Sequence, residues 1–218
     1  MIGEIMPEVV ASAEAFGDPP GAVLFPAEEA LIAGAVQKRR SEFATGRRCA
    51  RDALGALGFQ PAPILPGQGG APQWPAGVVG SITHCAGYRA AAAARAGDVI
   101  TIGLDAEPAQ PLPGEVLGLV TLPDERDRLR DLARDVQGVC WDTLLFSAKE
   151  SVYKAWFPLA RRWLGFDEAD ITINAANGTF EARLLIEAPA PAGVPPAGFS
   201  GRWLARDGLL LTAITVLA

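Results

Sequence analysis

An α+β fold of two similar halves is the architecture this sequence predicts, on three observations. A long helical pattern followed by strands occurs twice along the 218 residues. Half of the residues are apolar and 20% are charged, a globular balance in a chain long enough to bury a sizeable core. The 24 Gly and 18 Pro call for many turns without making the chain low-complexity. The halves meet near residues 104–110, so an N-terminal half is expected over 1–104 and a C-terminal half over 105–218, working as one compact unit.

In the first half, residues 26–57 read as helix. Pro26 suits a first helical position, and Glu28 and Glu29 fall in the first turn, where the helix dipole favours acids. Leu31, Ile32, Val36, Phe43, Ala50 and Leu54 recur on one stripe, with Gly46 a place to bend. Five Pro and five Gly over 61–80 make a long loop. Residues 78–94 and 98–104 read as strands around a turn at Ala96-Gly97. In the second half, residues 121–134 form a charged helix with Pro123 near its start. Trp141, Leu144, Leu145, Ala148, Val152, Ala155 and Leu159 are the apolar stripe of a stronger one. Strands follow at 171–173, 179–187 and 201–204, the last paired with 209–216, and the Pro-rich stretch 188–198 is a surface loop.

Composition excludes several function classes. With 25 acids against 19 Lys and Arg the formal charge is −6, the wrong sign for a dedicated nucleic-acid binder. Cys49, Cys85 and Cys140 lack paired spacing, which fits neither a disulfide framework nor a zinc site and points to a reducing cytoplasm. A single histidine, His84, rules out HExxH and every site needing two imidazoles. The first residues hold an early acid and no basic run, unlike a signal peptide. The uncharged stretch 53–88 contains Pro61, Pro63, Pro66, Pro72 and Pro75, which forbid a membrane helix, so a soluble protein without membrane attachment is expected.

Four segments could carry chemistry. In Gly103-Leu104-Asp105-Ala106-Glu107-Pro108, strand alternation puts Ile100, Ile102 and Leu104 on one side and Asp105 with Glu107 on the other. Two like charges at a strand end either lie in solvent or call for a hard cation such as Mg²⁺ with phosphate oxygens. Glu150 and Lys154 share a helix face at i, i+4, either as a surface pair or, with Lys149 and the surrounding aromatics, as a metal ligand and a phosphate contact. Lys38, Arg39, Arg40, Arg47, Arg48 and Arg51 concentrate charge on the first helix, and Arg40 and Arg47 stack seven apart, as a solvated face or an anion site. In Gly80-Ser81-Ile82-Thr83-His84-Cys85, His84 opposes Thr83 and Cys85, so Cys85 and His84 form no nucleophile–base pair. GxSxG is absent, and His84 is either a core residue or a phosphate ligand.

In this order the segments resemble the Sfp/EntD-type 4′-phosphopantetheinyl transferases, above all the actinobacterial kind. The matching text is Arg39-Arg40-Ser41-Glu42-Phe43 with Gly46-Arg47-Arg48-Cys49-Ala50-Arg51, then Trp74-Pro75-Ala76-Gly77 leading to Val79-Gly80-Ser81-Ile82-Thr83-His84-Cys85. Gly103-Leu104-Asp105-Ala106-Glu107-Pro108 and Phe146-Ser147-Ala148-Lys149-Glu150-Ser151-Val152-Tyr153-Lys154 complete it. The resemblance implies two α/β halves in a pseudo-twofold arrangement, with a CoA-phosphate-binding helix in the first and the metal site and catalytic helix in the second. It implies transfer of the 4′-phosphopantetheine of coenzyme A to a serine of an apo acyl or peptidyl carrier protein, releasing 3′,5′-ADP. Asp105, Glu107 and Glu150 would hold Mg²⁺ (or Mn²⁺) on the CoA pyrophosphate, and Asp105, Glu150 and Lys154 would be catalytic. Glu150 would be the general base, directly or through water, and Lys154 would stabilise or protonate the leaving group with Lys149 nearby on phosphate. Thr83 and His84 match the phosphate-contact motif, and Arg39 and Arg47 the contacts to the 3′-phosphate end. The chain departs from the pattern at Pro66–Pro72, where many relatives carry Lys or Arg and this sequence has neither.

Two rivals are weaker. A metal-dependent nuclease would carry carboxylates and a Glu-x-x-x-Lys, but the acidic charge opposes DNA binding. A CoA- or carrier-binding module without turnover is opposed by the complete set Asp105, Glu107, Glu150 and Lys154. A monomer is expected, and docking of an acidic carrier protein is expected to use a local basic or apolar patch, with Arg126, Arg128, Arg130 and Arg134 as candidates.

Overall fold

The structure, a computed structural model, describes residues 1–186 and 198–218. Two antiparallel sheets are each covered by a 20-residue helix. The first sheet holds β1 (Ala11–Phe16), β2 (Val78–Cys85) and β3 (Tyr88–Arg95), with β3 in the middle, and short α1 (Pro26–Leu31) and long α2 (Gln37–Ala56) belong to this half. The second half holds β4 (Val99–Pro108), α3 (Gly114–Val120), α4 (Pro123–Asp135), α5 (Trp141–Ala160), β5 (Ala169–Asn174), β6 (Thr179–Leu184), β7 (Phe199–Arg206) and β8 (Leu209–Leu217). Its strand order is β4-β8-β7-β6-β5. Mixed helix and sheet in two sheet-plus-helix units bear out the α+β expectation.

Five consecutive alanines, Ala90–Ala94, fill β3 and are all buried. Alternation sends Ala91 and Ala93 into the core beneath α2, and Ala90, Ala92 and Ala94 into the core shared with β4 and β8. Small side chains on both faces let a helix and a second sheet approach one strand from either side.

The two sheets meet where β2 lies along β4, and side-chain hydroxyls take the place of a ladder there. The Leu104 amide donates to Ser81 Oγ at 3.2 Å and the Ala106 amide to Thr83 Oγ1 at 3.1 Å. Helix α5 lies directly on the same β4. A Cβ on Gly103 would stand 1.9 Å from the Ser151 carbonyl oxygen, so only glycine permits this crossing, and Thr101 Oγ1 donates to the Ala155 carbonyl at 2.8 Å. Strand β4 is thus pressed between β2 and α5, which brings the chemistry of both halves to one seam.

Several elements differ from the sequence expectations. The single helix over 26–57 is two helices separated at Ile32–Val36. Leu31 and Val36 of the supposed stripe are exposed, and Arg40 donates to the Ile32 and Ala33 carbonyls at the end of α1. Helix α2 continues unbroken through Gly46. The strand over 78–94 is a hairpin turning at Ala86-Gly87, with Gly87 at φ +78°. β1 and α3 were not expected. A β-bulge near Val99 breaks the alternation of β4, so Val99, not Ile100, joins Ile102 and Leu104 in the core. The expected boundary at 104/105 falls inside β4, which lies wholly in the second sheet. Strand β6 ends at Leu184, so Leu185 and Ile186 do not continue it as expected, while Glu187 and the expected loop over 188–198, except for Gly198, fall outside the described residues. Among the described residues no helix is long and apolar enough to cross a membrane.

Candidate active site

Asp105 is the centre of the seam. It is 4% exposed on β4, and its Oδ1 accepts from Lys154 Nζ of α5 at 2.7 Å and from Thr83 Oγ1 of β2 at 3.3 Å. Three elements therefore converge on one carboxylate. Its Oδ2 is buried without a partner, an anomaly in an interior where polar atoms are ordinarily bonded.

Two more carboxylates share this negative field. Burial and then the Asp105 charge push Glu107 up to about 7. Burial and then Asp105 raise Glu150 as well, and the Lys154 ammonium opposes the rise in both. One ammonium among three carboxylates leaves the site short of positive charge, and a hard cation at the open Oδ2 is the chemistry that fits this donor set. Among the described residues no three ligands already stand as a closed cage, so a cation would draw Glu107 and Glu150 inward. Burial, followed by the Glu107 and Asp105 charges, pushes the Cys85 thiol up to about 12, which makes it an inert thiol.

The sequence-proposed basic residues divide. Arg39 of α2 donates to His84 Nε2 at 3.1 Å, bridging helix and strand at the end of β2. His84 is exposed as a residue, yet partial desolvation of its ring and then the Arg39 charge hold the imidazole below its ordinary pKa, so it is a neutral acceptor here. It is no core histidine. Arg47 is buried, donates Nε–H to the Ile64 carbonyl at 2.8 Å and lies over the Phe43 ring. Arg40 and Arg47 do not act as a stacked pair, because Arg40 turns back onto α1. Arg51 is held by the fully buried Glu28, which also accepts the Ile64 amide.

Lys149 does not join the site. Its ammonium donates to Glu125 Oε2 and to the Phe166 carbonyl, each at 2.7 Å, and both side chains of the pair are buried. Glu125 also accepts the Ile171 and Leu122 amides, so this pair ties α4 and β5 to α5. Five residues along a helix turn about 140° around its axis, which carries Lys149 away from the face that holds Lys154.

Beside Glu150 and Lys154 a cleft of about 640 Å³ opens between α5, β2 and the loop 67–74. Trp74, Ile82, Tyr153 and Phe157 form apolar walls, and Arg161 lies at its far end. Sequence reasoning assigned no role to Phe157 or Arg161, and Tyr153 entered only as part of the motif text. The arginines of α4 are engaged locally: Arg126 by Thr121 and the Gly118 carbonyl, Arg128 by Asp170, Arg130 by Asp127, Arg134 by Asp131 and Asp135.

Comparison with known proteins matches both halves separately. Residues 27–94 match the 4′-phosphopantetheinyl transferase N-terminal domain, and residues 101–193 match the 4′-phosphopantetheinyl transferase superfamily. The chain is 53% identical to the transferase Svp of Streptomyces mobaraensis, over all of its own length and 90% of that protein. It is 47% identical to PptT of Mycobacterium tuberculosis, covering 99% of this chain and 98% of the relative, and 49% identical to Npt of Nocardia iowensis, covering 98% and 99%. With likeness over the whole length and the family's motif carboxylates and lysine gathered at one seam, the chain belongs to the 4′-phosphopantetheinyl transferases and is an enzyme of that type.

Proposed function

We propose that the seam between β2, β4 and α5 is where the phosphopantetheinyl group of coenzyme A passes to the serine of an apo acyl or peptidyl carrier protein. The observation that carries this reading is the Asp105–Lys154 contact at 2.7 Å beside an unpartnered Asp105 Oδ2. Asp105, Glu107 and Glu150 would hold Mg²⁺ or Mn²⁺, and such an ion supplies charge neutralisation to the CoA pyrophosphate when bound. By the family resemblance Arg39, His84, Thr83 and Arg47 would contact the phosphates of the nucleotide end, and a phosphate there would draw His84 toward its protonated form.

In the transfer, the serine oxygen bonds to the β-phosphorus as the bond from that phosphorus to the bridging oxygen breaks. Glu150, whose raised pKa brings it closer to neutrality, accepts the serine proton directly or through one water. Lys154 sits one turn further along the helix and donates a hydrogen bond or proton to the departing 3′,5′-ADP oxygen. Three free thiols suit a reducing cytoplasm.

Intact-mass spectrometry of an apo acyl carrier protein incubated with the enzyme, CoA and Mg²⁺ tests the reading. The expected result is a gain of one phosphopantetheine that EDTA abolishes. A gain undiminished by EDTA removes the metal role, and CoA binding without any gain in several apo carriers replaces the reading with a binding module.

A further inference from the structure

The loop Pro66–Pro72 has no cation, and the structure shows why none fits at its centre. Gly69 adopts φ +63°, and a Cβ there would stand 2.5 Å from Phe157 Cζ; Gly70 follows at φ +80°. The loop closes on α5 with bare backbone and presents no charge to this side of the cleft.

Arg161 lies one helical turn beyond Phe157, the residue the loop packs against. It lines the same cleft as Gly67–Pro72, Glu150 and Lys154. It follows Lys154 by seven residues, about two helical turns or ~10 Å further along the cleft. Arg161 is the C-cap of α5 at φ 52°, ψ 27°, a left-handed conformation usually given to glycine at helix ends. A bulky residue held there carries backbone strain of the kind that collects at ligand sites. Among the described residues its guanidinium meets no acceptor. That of the adjacent Arg162 is engaged by Glu168 and the Trp163 carbonyl and lies over Trp156.

We propose that Arg161 is the phosphate-binding cation that the 66–72 loop does not supply, contacting the 3′-phosphate or the pyrophosphate of coenzyme A. The proposal rests on the reading of this cleft as the CoA site. Arginine's planar fork suits a phosphate bidentately, and the strain at its backbone persists because the charge is needed at this place.

Calorimetric binding of CoA and of dephospho-CoA, which lacks the 3′-phosphate, tests it with wild type, Arg161→Gly and Arg161→Gln. Glycine relieves the backbone, so Arg161→Gly is expected to melt at or above the wild-type temperature while binding CoA about 10- to 100-fold more weakly. Arg161→Gln keeps the Cβ and the strain, removes only the charge, and is expected to show the same loss. If the loss disappears with dephospho-CoA the contact is to the 3′-phosphate; if it remains in full the contact is to the pyrophosphate. CoA binding by both variants within about twofold of wild type overturns the proposal. A wild-type protein that binds no CoA overturns the reading of the cleft instead.

Discussion

Lys149 and Lys154 leave the same helix five residues apart, and each grips a buried carboxylate at 2.7 Å, Glu125 for the first and Asp105 for the second. Around Lys149 every polar atom is accounted for. Its side chain is 2% exposed, Glu125 is fully buried, and Glu125 also accepts the Ile171 amide of β5 and the Leu122 amide at the N-cap of its own helix. Around Lys154 the account is open. The lysine is 28% exposed toward a cleft, Asp105 keeps an oxygen without a partner, and two further carboxyls are held above their usual range nearby. A satisfied pair fixes elements in place; an unsatisfied one beside a cleft is a candidate for ligand binding.

The contrast can be broken in graded steps. Glu150→Gln should lower turnover about 10²- to 10⁴-fold while CoA binding stays near wild type, and steady-state kinetics with calorimetry check both. A near-wild-type kcat would remove the base role. On the scaffold side, Lys149→Met leaves Glu125 charged and alone, which should cost about 3–5 kcal/mol in denaturant unfolding without changing KM for CoA in the folded fraction. Adding Glu125→Leu to the same chain should restore much of that loss, because it removes the stranded charge.

A smaller effect follows from Glu107, held at about 7 against an ordinary 4.5. A raised carboxyl pKa means that the folded state keeps its proton where the unfolded chain has lost it, so stability falls as pH rises through that interval. Metal-free protein should lose about 1–2 kcal/mol between about pH 5 and pH 8 after allowance for solvent screening. Glu107→Gln should flatten the curve, and Mg²⁺ should restore the wild type at the upper end; thermal melts across pH decide. Smallest of all is the effect of charge reversal on α4. Arg130 and Arg134 are exposed and already paired with Asp127, Asp131 and Asp135, so reversing them should leave KM for a carrier protein within about twofold. A large rise in KM would restore the docking role that their sequence clustering suggested.

Much of this was legible along the chain. The Asp105-x-Glu107 spacing at a strand end and the Glu150, Lys154 pair on one helix face are local facts, readable from periods of 2 and 3.6. The helix over 141–160 and the closing hairpin of β7 and β8 were legible for the same reason. What misled was local signal overruled at a distance. Arg40 and Arg47 are spaced for one face, but the break at Ile32–Val36 gave Arg40 open carbonyls to cap. Lys149 looks like a companion of Lys154 until Glu125, 24 residues earlier, takes it. β1 was passed over because its alternation is blurred by small residues, and it becomes a strand only by pairing with β3.

By itself, the sequence determined the class of the protein, its candidate reacting groups and their grouping into short motifs, because residue type and spacing set local geometry. Only the tertiary structure decided which charges are free to act. That depends on partners brought together across the chain: Gly103 admitting α5 onto β4 so that Lys154 reaches Asp105, Glu125 claiming Lys149, and bare Gly69 closing on Phe157. The physical reason is that desolvation and pairing are properties of a place in the fold, and a charge changes its role when its neighbours do.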